Sequence, residues 1–192
     1  MADAPHLPRS NALRILLAIS RVARGRSDGL GLFGNSPQAF LASLAPQLAF
    51  PIVGGALMLT GGGGLPVIRD LLSTLCLLLA PQVLSYELAR LWRRDAAWFR
   101  FATAFNWCQW ILPAIGLVVL VILSMVMPNA DPRLTAPLLI GIVGSYGLWL
   151  HWFVSRKALG LSIGRAILFV LGVNIGTVAL LIVPRVLAMH YS

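Results

Sequence analysis

Charge is what this sequence has least of. Of 192 residues only six are Asp or Glu and 11% are charged in all, while 58% are hydrophobic. A water-soluble domain carries about 25% charged residues, because its surface must face water. Less than half that share excludes an ordinary soluble exterior, and a mean hydropathy of +0.85 points to lipid as the solvent. Reactive side chains are scarce too. Cys76 and Cys108 are the only cysteines, and they fall at different depths of different spans. A disulfide needs Cα atoms within about 7 Å, so both are expected to be free thiols. His6, His151 and His190 show no metal-ligand spacing. His151, in LWLHWF, reads as an interfacial residue at the end of the fourth span. HExxH, paired intramembrane aspartates and a carboxylate cluster suited to Mg²⁺ are all missing. Nothing therefore points to catalysis, a cofactor or a metal. Glu87, one helical turn before Arg90, reads as half of an interfacial ion pair.

What the chain does have is long uncharged runs. Apart from Arg69 and Asp70, no Asp, Glu, Lys or Arg occurs in 29–86, in 101–130, in 134–155 or in 166–184. A helix crosses a bilayer core of about 30 Å in about 20 apolar residues. Five spans follow, at about 39–60, 68–88, 103–127, 135–155 and 166–184. The GGGGLP and PNADPR stretches end the first and third, and Pro184 and Arg185 close the last. The second is the shortest uncharged run and contains Pro81. Prolines 46, 51, 81 and 113 predict kinks rather than breaks, since neighbouring helices re-satisfy freed backbone groups. Lipid excludes open sheet edges. The fold class is therefore all-α: a polytopic transmembrane bundle over 37–192, preceded by a basic N-terminal segment over 1–36.

The basic residues orient it. With five spans, one set of extramembrane segments holds Arg9, Arg14, Arg21, Arg24, Arg26, Arg90, Arg93, Arg94, Arg100, Arg156, Lys157 and Arg165. The other holds Arg69, Arg133 and Arg185. Cytoplasmic loops carry the excess of Lys and Arg. The N-terminus is thus expected in the cytoplasm and the C-terminus outside, in a cell inner membrane. The stretch RLWRRDAAWFRFATAFNWCQW (90–110) then becomes a cytoplasmic turn. Its arginines sit among lipid phosphates, and Trp92, Trp98, Phe99, Trp107 and Trp110 belong to the interfacial aromatic belt. The net charge of +9 would also suit nucleic acid, but no water-facing domain is left to hold it. The membrane surface is preferred.

Within the first segment, Leu13, Leu16, Leu17 and Ile19 alternate with Arg14, Arg21 and Arg24 at helical spacing. That pattern suits a short amphipathic helix on an anionic leaflet, with a mobile tail as the alternative. Gly172 and Gly176 form a GxxxG, and Gly141, Gly144 and Gly147 repeat in the fourth span. Small residues let helices approach closely, either inside the bundle or in a homo-oligomer. Asn106, Gln109 and Asn174 are candidate interhelical polar contacts. Gln109 and Asn174 lie at nearly equal depth, which predicts a pair across spans three and five.

Five spans, a cytoplasmic N-terminal segment and short loops resemble the Yip1-like family of integral membrane proteins. The resemblance covers about 36–185 and rests on architecture and apolar texture. The Asp-Leu-Gly-Pro type signature associated with that family is missing, and Asp70-Leu71-Leu72-Ser73 does not stand in for it. The resemblance implies a non-catalytic membrane factor, of a family whose eukaryotic members bind partners; a membrane-protein partner is one expectation. No residue roles carry over. The functional expectation is an organising or adaptor role through protein partners or lipid; a small transporter or channel component is the alternative.

Overall fold

The computed structural model describes residues 11–128 and 131–190. His6, Arg9 and Ser192 lie outside them, as do Asn129 and Ala130 of the third connection. Among the described residues seven α-helices and two 3₁₀ turns follow one another: α1 (Asn11–Ala23), a 3₁₀ turn (Ser27–Leu32), α2 (Pro37–Thr60), α3 (Gly64–Leu91), a second 3₁₀ turn (Asp95–Ala97), α4 (Trp98–Cys108), α5 (Ile111–Val126), α6 (Pro132–Ala158) and α7 (Ile163–His190). No strand occurs among the described residues.

Local chemistry sets the ends. Ser36 caps α2, its hydroxyl accepting from the Ala39 amide at 3.2 Å, with Pro37 at the first helical position. Asp131 caps α6 in the same way through the Arg133 amide at 2.8 Å. Both satisfy amide groups that a helix start leaves orphaned. Gly160 closes α6 at φ +63°, with the Leu161 amide donating to Arg156 O at 3.0 Å. This left-handed C-terminal turn is the one glycine adopts without steric cost. At the end of α3 the same turn is made by Arg93, at φ +56°.

Among the described residues five segments are long and apolar enough to cross a membrane: Pro37–Thr60, Gly64–Leu91, Asp95–Val126, Arg133–Ala158 and Ile163–Leu180. They correspond to the five expected spans. Between 0% and 28% of the apolar window of each is buried inside the protein. Helices apolar all round that are not covered by protein must be covered by something else apolar. The chain is a multi-pass membrane protein.

Two expectations are corrected. The third span is two helices, because Pro113 lacks an amide proton and its ring collides with the carbonyl four residues back, that of Gln109. The break therefore falls at Gln109–Trp110, where the Trp110 amide turns to Trp107 O at 3.3 Å. Pro46, Pro51 and Pro81, by contrast, sit inside continuous helices. The last span does not stop at Pro184, since α7 runs on to His190.

The packed core sits at one end of the bundle. It joins Ala18 and Val22 of α1, Leu30 and Phe33 of the first turn, Ala89 of α3, Phe101, Ala102 and Ala104 of α4, Leu150, Phe153 and Val154 of α6, and Ala166, Phe169 and Val173 of α7. The whole of α5 contributes no buried residue. Helices α2, α4 and α7 begin at this end while α3 and α6 finish there, so alternating chain direction gathers the buried residues. The GxxxG serves this packing. A Cβ on Gly172 would come 3.1 Å from Leu88 Cδ1, and one on Gly176 would come 2.9 Å from Leu84 Cδ1. These two glycines are the sockets for α3 leucines, which favours packing within the bundle. Gly141 and Gly144 meet nothing within 4 Å among the described residues.

Candidate functional site: a buried polar junction and the cavity beside it

Asn106 is completely buried in α4. Its Oδ1 accepts from Gln82 Nε2 of α3 at 2.7 Å, and its Nδ2 donates to Ser43 Oγ of α2 at 3.1 Å. Its backbone carbonyl is free because the Pro113 break turned the Trp110 amide away, and Gln47 Nε2 of α2 donates to it at 3.0 Å. One residue thus ties three helices, and a side chain from α2 takes the bond that the helix interruption released. A second link lies one turn nearer the packed end. Trp98 Nε1 donates to Ser85 Oγ at 3.1 Å, and Ser85 Oγ donates to Gln82 O at 3.0 Å. In an apolar surrounding each unpaired polar group costs several kcal/mol, so such a cluster persists only when its members satisfy one another. Gln82 Oε1 is the member without a partner among the described residues.

The other expected contacts fall elsewhere. Gln109 and Asn174 do not meet. Gln109 is half-buried and lines a cleft with Gln47, Phe50, Pro81, Trp110 and Pro113, on the α2 side of the bundle. Asn174 Nδ2 instead donates back to Val170 O of its own helix at 2.7 Å and approaches His151 Nδ1 at 3.4 Å. Gln109 thus faces α2 and α3, whereas Asn174 faces its own helix and His151 of α6. His151 is buried inside the protein. It is 5% exposed, with its ring 4.5 Å from that of Phe105 and 6.2 Å from those of Phe101 and Phe169. Cys76 is exposed, Cys108 is buried, and both are free thiols.

Among the residues assigned to the membrane surface, Arg14, Arg24, Arg93 and Arg94 are exposed and Arg21 and Trp92 are half-buried. Arg21 and Arg26 both reach Asp28 Oδ2, at 3.1 and 3.2 Å. Trp92 packs against Phe169, with centroids 6.2 Å apart. Trp98 is a correction: it is 6% exposed and sits in a ring cluster with Phe40, Tyr86 and Phe99, at 5.1, 5.1 and 5.2 Å. Its indole N–H is satisfied by Ser85 rather than by the interface. Glu87 and Arg90 are both exposed, and no ion pair joins them among the described residues. On α1 the face turned to the bundle is Ile15, Ala18, Ile19 and Val22, whereas Leu13 and Leu16 are 56% and 61% exposed. Docking against the core, not lipid alone, selects which apolar face is buried.

Beside the junction lies a cavity of about 760 Å³ between α2, α3 and the second 3₁₀ turn. Phe40 and Leu44 form one wall, Leu79, Gln82, Val83 and Tyr86 another, and Asp95, Ala96, Trp98 and Phe99 the third. Val83 is 60% and Leu79 39% exposed, so the cavity opens sideways on the apolar surface of α3. No group of three His, Cys, Asp or Glu side chains that could hold a metal ion occurs among the described residues. Sequence reasoning missed Gln47, Gln82, Ser43 and Ser85. The available signal was the same one that marked Asn106, a polar side chain within an apolar run. Comparison with family models, with curated proteins and with solved structures gives no match.

Proposed function

We propose that this chain is a non-catalytic inner-membrane protein of the Yip1-like type, with its N-terminus in the cytoplasm, which organises lipid and protein partners at its arginine-rich end. The observation that carries the reading is the coincidence of packing and charge. Arg14, Arg21, Arg24 and Arg26 of the α1 segment, Arg90, Arg93, Arg94 and Arg100 around the second turn, and Arg156, Lys157 and Arg165 around the α6–α7 turn all lie at the end that holds the core. At the other end only Arg69 and Arg133 are basic among residues with described side chains, and Arg69 sits 3.7 Å from Asp70. A rigid, positively charged end on an apolar bundle suits a leaflet rich in phosphate. The polar groups within the spans support a non-catalytic role, because Ser43, Gln82, Ser85 and Asn106 are engaged in bonds between helices.

The test is the response of the whole protein to anionic lipid. Each basic residue near an anionic surface contributes about 1 kcal/mol. Phosphatidylglycerol added to protein in neutral detergent should therefore raise Tm by several degrees. The quadruple variant Arg14→Gln, Arg24→Gln, Arg93→Gln, Arg94→Gln should lose at least half of that rise. A Tm indifferent to anionic lipid in the wild type would remove the basis of the proposal.

A further inference from the structure

Two acids in the arginine-rich end, Glu87 and Asp95, form no ion pair among the described residues, and only Asp95 lines the cavity. Asp28 holds two arginines and Asp70 lies beside one. Asp95 follows Arg93 and Arg94 directly, yet it forms no ion pair among the described residues. Arg94 is drawn away toward the α6–α7 turn, where its Nη1 would lie 3.7 Å from a Cβ on Gly160. Arg93 lines a different groove, with Glu87 and Gly172. Asp95 instead lines the lateral cavity, whose other walls are aromatic and aliphatic.

We propose that this cavity binds phosphatidylethanolamine, a zwitterionic phospholipid, with its ammonium on Asp95 and an acyl chain along Val83. Three features select that chemistry. The volume, about 760 Å³, is within the roughly 300–1,000 Å³ of sites that enclose small molecules. The opening across Leu79 and Val83 faces lipid, so a molecule can enter from the bilayer without crossing water. The charge pattern then decides the headgroup. Among the described residues Asp95 is the one charged residue lining the cavity, so it favours an ammonium and repels a purely anionic headgroup, while the apolar walls favour a cation that carries an acyl chain. A zwitterion presents its ammonium to Asp95 and leaves its phosphate outside the lining, at the arginine-rich end of the bundle. A primary ammonium donates charge-assisted hydrogen bonds to a carboxylate, which a trimethylammonium lacks. Trp98 packs between Phe40, Tyr86 and Phe99, so the rings form a continuous wall rather than an open box for methyl groups.

The inference rests on the reading that the chain meets lipid at this end, but its test separates the two because it compares lipids of equal net charge. Full-length protein is exchanged into mixed micelles of phosphatidylethanolamine and phosphatidylcholine at equal mole fraction, and retained lipid is counted by native mass spectrometry. Wild type should retain the ethanolamine lipid at least tenfold over the choline lipid. Asp95→Asn should bring the ratio below about twofold, while Glu87→Gln, which removes an acid at the same end outside the cavity, should leave it unchanged. Val83→Trp should reduce retention of the ethanolamine lipid to background. Equal retention of the two lipids by wild type, or a preference that survives Asp95→Asn, overturns the proposal, and neither result touches the anionic-lipid response.

Discussion

Replacing Asn106 by leucine should lower the stability of the protein in detergent by about 2–4 kcal/mol, because two buried partners lose their bonds at about 1–3 kcal/mol each. Gln82 Nε2 and Ser43 Oγ would be left facing a hydrocarbon side chain at the meeting point of α2, α3 and α4. Gln82 Oε1 already has no partner among the described residues, so its whole amide would then be unsatisfied. The comparison that gives the measurement force is with the other two polar residues. Gln109→Leu should cost less than about 1 kcal/mol, in line with the average of about 0.6 kcal/mol for membrane hydrogen bonds. Asn174→Leu should do the same, since Asn174 bonds mainly to its own helix. Reversible unfolding in mixed detergent, followed by circular dichroism, reads all three. An Asn106→Leu change within about 0.5 kcal/mol of wild type would mean that the junction does not hold the helices together.

Gly29→Val should release α1 from the bundle. A Cβ at Gly29 would lie 2.8 Å from Ala18 O, 2.8 Å from Arg21 Cβ and 3.1 Å from Val22 Cγ2. Two of those atoms belong to, or are bonded directly to, the α1 backbone, which has no flexible tip to swing aside. The helix must move away, exposing Ala18 and Val22, both fully buried. Overpacking of this kind costs about 1–3 kcal/mol, or roughly 5- to 150-fold in the population of the detached state. Trypsin cleavage at Arg14, Arg21 and Arg24 should accelerate by that factor while the five spans stay intact. Gly31→Ala, at a position with nothing within 4 Å, should leave the rate unchanged. Equal cleavage of the Gly29 variant and wild type would show that α1 is not docked through this turn.

The number of spans was legible in the sequence, and the rotation of each helix was not. Bilayer thickness fixes the length of an uncharged run, so five long apolar helices could be expected from missing charges alone, although the third segment begins at Asp95 rather than near 103. The second, which has the shortest uncharged run and contains Pro81, is among the longest helices at 28 residues. Rotation about each helix axis is set by which neighbour it meets, and helices apolar on every side mark no face. Gln109 and Asn174 were therefore paired with the wrong partners. Trp98 and His151 failed for a related reason. Both occur in strings of aromatic residues near a span end, where interfacial and buried sites have the same composition, and only the packing of α4 against α3, α6 and α7 separates them. The break at Gln109–Trp110 was latent in Pro113, whose effect falls four residues upstream rather than at the proline itself.

The account rests on five crossings with the packed, arginine-rich end in the cytoplasm. Topology mapping of the full-length protein tests this most directly, with reporters active on one side of the membrane fused at Pro66, Ala96, Gly160 and after Ser192. Ala96 and Gly160, in the turns that close the packed end, should report cytoplasmic, and Pro66 and the C-terminus external. A cytoplasmic signal from the C-terminus, or an external one from Ala96, would contradict it.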